Sequence, residues 1–77
     1  MDKEKLQNFM DQIKQVYSLR DNREVKIDSD LRADLNTTSL QYFALISIVE
    51  DMSGKTVSYS QIKACKTIED VRTLVDD

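Results

Sequence analysis

The sequence has no histidine, no proline and no tryptophan, and only one glycine and one cysteine in 77 residues. Histidine is the usual proton-transfer group near neutral pH, so its absence removes the commonest general acid or base. It also excludes a Cys–His nucleophilic pair and a mixed zinc site around Cys65. With no second thiol, Cys65 forms no internal disulfide; it reads as a small buried hydrophobe in a reducing, cytoplasmic setting. A single glycine leaves no glycine-rich phosphate loop and few tight turns. Long apolar runs are missing too. The longest, Tyr42 to Val49, is interrupted by Ser47 and falls far short of a membrane span. Met1–Leu6 leads directly into an amphipathic pattern and has none of the character of a signal peptide.

What the chain does have is charge and helix-forming residues. Fourteen acids against eleven bases give a formal charge of -3 and a pI near 4.8. That balance disfavours nucleic acid and suits partners with basic patches. Hydrophobic residues at 40% and charged residues at 32% describe one soluble globular domain, spanning residues 1–77 and expected to be a monomer. A chain this short needs most of its apolar side chains for the core, which leaves little for a deep cleft. The carboxylates do not converge. Glu50 and Asp51 are adjacent and point apart on a helix, and Asp28 and Asp30 lack the glycine and distal glutamate of a calcium loop. No catalytic residue and no metal site is expected.

Leu6, Phe9, Met10, Ile13, Val16 and Tyr17 recur at three- and four-residue steps and predict a first helix over 2–19. A long connection over 20–37 follows, with Val25, Ile27, Leu31 and Leu35 spaced to dip into a core and Ser29 placed to cap a turn through Arg32. Thr38, with Gln41 three residues on, has the capping-box pattern that opens a second helix. Leu45, Ile46, Val49 and Met52 form its core stripe. Leu40, Tyr42, Phe43 and Ile48 widen its apolar surface, so it is either sandwiched or offers a face to a partner. Gly54 stops it. Val57 turns inward, Ser58 caps a short helix from Tyr59 to about Ala64 carrying Ile62, and Thr67 caps a last helix built on Ile68, Val71, Leu74 and Val75.

The remaining feature is the segment Asp34-Leu35-Asn36-Thr37-Thr38-Ser39-Leu40. Ser39 falls in the first turn of an apolar helix, where unpaired N–H groups and the helix dipole suit a negatively charged group. From spacing alone it is equally readable as a capping or surface serine.

Residues 34–40 resemble the attachment motif of the acyl carrier protein family, Asp-Leu-Gly-x-Asp-Ser-Leu. The register continues without a gap: Glu50 and Asp51 fall on the acidic end of the following helix, Val57 on the apolar residue after the turn, and Thr67, Ile68 and Val71 on the start of the last helix. The resemblance covers essentially the whole chain. It implies an all-α, acyl-carrier-like four-helix bundle, with three main helices, one short helix and a long loop between the first two. It further implies that Ser39 receives 4′-phosphopantetheine from coenzyme A through a phosphopantetheinyl transferase, and that the arm carries acyl thioesters without the chain catalysing anything. The implied partners are acyl-transfer, condensing or adenylating enzymes of a fatty-acid, polyketide or related specialised pathway. They would read Thr38, Leu40, Tyr42, Phe43, Glu50 and Asp51. Thr38 departs from the family's aspartate, keeping the cap but dropping a charge, and Asn36 departs from its glycine while tolerating a left-handed backbone. An aminoacyl or peptidyl carrier is a close alternative. A different class is an unmodified interaction module that docks a partner helix on Tyr42, Phe43 and Ile48.

Overall fold

The computed structural model describes residues 1–18 and 25–76, and those residues form four helices and no strand. Helix α1 runs Lys3–Tyr17, α2 Ser39–Ser53, α3 Tyr59–Lys63 and α4 Ile68–Asp76. The fold is a small all-α bundle, with α2 packed against α1, α3 and α4. The expected first helix loses its leading residue to a capping role, since the Asp2 carboxylate accepts the Lys5 N–H at 2.7 Å. The expected end of that helix at residue 19, and positions 20–24 of the connection, lie outside the described residues.

The two amphipathic helices behave as their periodicity dictates. In α1 the stripe buries Phe9, Ile13 and Tyr17, with Leu6, Met10 and Val16 packed at its margin. In α4 Ile68, Val71 and Val75 are buried and Leu74 is partly so. Helix α2 is different because three neighbours surround it. Leu45 and Val49 are fully buried, and Tyr42 and Ile48 join them on a second buried face, while Ile46 and Met52 lie at the edge. Tyr42 and Ile48 are therefore core residues: of the two alternatives for α2 they follow the sandwiched one, and Tyr42 is not available as a partner-reading side chain.

Turn chemistry follows the caps. Thr38 accepts the Gln41 N–H while Gln41 accepts the Thr38 N–H, and Ser58 and Gln61 repeat the arrangement at α3. Thr67 and Asp70 do the same at the start of α4. Gly54 ends α2 at φ 72°, a left-handed conformation that glycine adopts without penalty.

The long connection is more tightly built than its apolar anchors suggested. Val25, Leu31 and Leu35 are buried, and Ile27 is half-buried. Its backbone is also stitched to the α3–α4 connector. Leu31 N–H donates to Lys66 C=O at 2.8 Å, Ile68 N–H to Ser29 C=O at 3.2 Å, and Glu69 N–H to Ile27 C=O at 2.8 Å. Ser29 does not cap the turn through Arg32. Its hydroxyl is buried and faces back to accept the Lys26 N–H, and the Asp30 carboxylate caps the turn through the N–H groups of Arg32 and Ala33. A carboxylate beside two free N–H groups is the stronger acceptor, and those bonds hold the Asp30 carboxyl below its usual range.

Candidate functional site

The start of α2 is fixed from below. The Thr37 hydroxyl donates to Leu31 C=O at 2.6 Å, so its single proton is committed and the Tyr17 phenol donates to it at 2.8 Å. Thr37 N–H also reaches Leu31 C=O, at 2.9 Å. This relay ties the end of α1, the long connection and the entry to α2 together. Burial raises the Tyr17 phenol's pKa, so it keeps its proton and its donor role at neutral pH.

Above that base, Asn36 has φ 48°, the one non-glycine residue with positive φ among the described residues. Asparagine enters this region more readily than most residues. The kink delivers the chain to Thr38, whose capping box with Gln41 satisfies two of the donors at the helix start. Ser39 is the first residue of α2 and is exposed. The cap is complete without it, so Ser39 has no part in closing the helix start. No acidic residue lies in that turn, so an anion attached there meets the dipole with no like charge on the same turn.

The other expected site residues separate into two groups. Leu40 is 82% exposed and Phe43 55% exposed, and they flank Ser39 as an apolar patch. Phe43 leans on Tyr59 of α3, with ring centroids 5.1 Å apart. Tyr42, by contrast, is only 2% exposed. Its ring meets Tyr59 edge-on at 6.1 Å, the Lys63 ammonium sits 5.1 Å from its centroid, and its phenol oxygen has no hydrogen-bond partner.

At the far end of α2, Asp51 is exposed but Glu50 is half-buried. Its Oε2 accepts the Val57 N–H at 2.8 Å, and its carbonyl accepts the Gly54 N–H at 2.9 Å. Glu50 thus braces the α2–α3 turn, a role its sequence position did not announce. The spacing Tyr42, Leu45, Val49, Met52 does carry the signal that Tyr42 is core, since it continues the buried stripe by one turn.

Cys65 is buried, and burial pushes its thiol up to about 11, which keeps it protonated and unreactive at neutral pH. Among the described residues no three His, Cys, Asp or Glu side chains are grouped to hold a metal ion. No described helix is long and apolar enough to cross a membrane. No family model matches the chain, and no curated protein or solved structure matches it either.

Proposed function

We propose that the chain is a carrier protein that bears 4′-phosphopantetheine on Ser39 and transports acyl groups as thioesters on that arm. The observation that carries the reading is the local backbone around the motif. Asn36 is left-handed where the resembling motif has glycine, and three residues later an exposed Ser39 opens α2. The residues present fit the group. A phosphodiester on Ser39 would sit against the N–H groups of the first turn, and the turn carries no acidic side chain to repel it.

In the transfer, the Ser39 Oγ forms a bond to the phosphorus that carries pantetheine. The pyrophosphate P–O bond of coenzyme A breaks and 3′,5′-ADP leaves. The serine proton passes to a base on the transferase, because the chain has no histidine and no carboxylate in the first turn of α2. The arm's thiol supplies the thioester chemistry. The chain contributes a rigid anchor, an anion-compatible helix end and the apolar patch of Leu40 and Phe43 beside it.

Intact mass after incubation with coenzyme A and several broad-specificity transferases tests this. Wild type gains one phosphopantetheine and Ser39→Ala gains none. Absence of any gain in wild type sinks the reading and favours the unmodified interaction module, for which the exposure of Leu40 and Phe43 is the supporting observation. A gain that survives Ser39→Ala moves the attachment elsewhere.

A further inference from the structure

The first turn of α2 has no anchor of its own in the core. Ser39 is exposed, Leu40 is 82% exposed, and Gln41 is committed to the capping box with Thr38. Tyr42 is the first residue of the helix whose side chain is buried. Side-chain packing therefore fixes α2 from Tyr42 onward and leaves Ser39 on a turn that frays unless something else holds it. The capping box and the bond from Tyr42 N–H to Thr38 C=O are internal to that turn. They shape it without fastening it to the bundle.

Thr37, the residue before the cap, does the fastening. Among the described residues, its hydrogen bonds are the ones that lead from positions 37–41 to the rest of the molecule. Its hydroxyl donates to Leu31 C=O and accepts from the Tyr17 phenol, and its N–H donates to the same carbonyl. The acceptor is held firmly in turn. Leu31 is fully buried, and its own N–H donates to Lys66 C=O at 2.8 Å. Tyr17 is a buried residue at the end of α1. Three elements thus meet two positions before Ser39: α1, the long connection and the α3–α4 connector. Thr37 needs a hydroxyl for this, because one group must both donate and accept.

Resting on the carrier reading of Ser39, we infer that Thr37 and Tyr17 are positioning residues for the transfer, holding the first turn of α2 so that the Ser39 Oγ meets the phosphorus in line. The Oγ–P bond forms as the P–O bond to 3′,5′-ADP breaks, and the serine proton goes to the transferase's base. Such a step needs the reacting atoms aligned and about 3–3.5 Å apart, and a misplacement of about 1 Å costs about 100-fold. Both residues act through the backbone, not on the reacting atoms.

Thr37→Val keeps the branched shape and removes the hydroxyl. With coenzyme A and a broad-specificity phosphopantetheinyl transferase, it lowers kcat about tenfold and leaves KM within about twofold, because the exposed Phe43 lies beyond the loosened turn. Tyr17→Phe lowers kcat about threefold, since the bond from Thr37 to Leu31 remains, and it keeps the test in force if Thr37→Val fails to fold. Thr37→Ser restores the wild-type kcat. Backbone order parameters from NMR relaxation give a readout apart from the transfer: in unmodified Thr37→Val those of Ser39 and Leu40 fall while those of Leu45 and Val49 hold. Gly54→Ala, at the other end of α2, separates position from stability, since it strains the fold and keeps kcat. With wild type modified, an unchanged kcat in Thr37→Val and Tyr17→Phe overturns this inference alone. So does a Thr37→Ser that fails to recover, or a Gly54→Ala that falls as far as Tyr17→Phe. A wild type that gains no phosphopantetheine removes the carrier reading itself, and this inference with it.

Discussion

Replacing Tyr42 by phenylalanine should make the protein more stable. The Tyr42 side chain is 2% exposed and its phenol oxygen is the one buried side-chain N or O atom without a partner among the described residues. Leaving a hydroxyl desolvated and unbonded costs about 1–3 kcal/mol. Phenylalanine removes that oxygen and keeps the ring, so the edge-on contact with Tyr59 and the Lys63 ammonium over the ring face both survive. The void left by one oxygen returns a fraction of the gain. A net stabilisation of about 1 kcal/mol follows, which for a chain this size raises the melting temperature by about 4–8 °C. Tyr17→Phe is the matched comparison. It breaks the relay from the Tyr17 phenol through Thr37 to Leu31 C=O and should cost about 1 kcal/mol. Urea and thermal unfolding followed by circular dichroism read both variants, with a midpoint shift of about 0.5–1 M urea in opposite directions. If Tyr42→Phe destabilises as much as Tyr17→Phe, the phenol is hydrogen-bonded in solution and the reasoning fails.

Three further outcomes follow from other contacts. The Cys65 thiol sits at about 11, above its ordinary value near 9, so the folded state holds that proton more tightly than the unfolded state. Its contribution is complete below pH 9 and is lost as pH rises toward 11; Cys65→Ala should flatten that part of a stability-versus-pH curve, and thiol labelling of wild type at pH 8 should track unfolding. Gly54→Ala should cost about 1 kcal/mol, because φ is 72° while a Cβ would meet nothing within 4 Å, so backbone strain acts alone. Glu50 and Asp51 should part company. Asp51→Lys should leave the melting temperature nearly unchanged, whereas Glu50→Ala should lose about 1–2 kcal/mol with its bond to Val57 N–H.

The sequence made legible whatever depends on side-chain period or cap chemistry. The stripes of α1 and α4, the capping boxes at Thr38 and Ser58, and the stop at Gly54 all follow from local rules. Helix α2 resisted, because a helix packed on three sides has no clear polar face, and off the stripe that runs through Tyr42 the residues Ile48 and Phe43 then look alike. Deciding among them needs the positions of the neighbours. At the candidate site the placement of Ser39 behind a completed cap was readable. The relay through Thr37 and the brace at Glu50 were not. They join residues distant in sequence, or use backbone groups that leave no pattern in it.

The seam between the long connection and the α3–α4 connector also bears on how the molecule folds and opens. Its three backbone bonds join residues 27–31 to 66–69, across loops of roughly 40 residues, whose closure costs about 3 kcal/mol beyond a constant. Helices α2 to α4 can dock through contacts that are nearer in sequence, so the seam should close late, after they are in place. The amide protons of Leu31, Ile68 and Glu69 then become sentinels. Their exchange with solvent should require opening of the whole seam, and the slowest of them should report the global unfolding free energy even though they lie in turns and at a helix start.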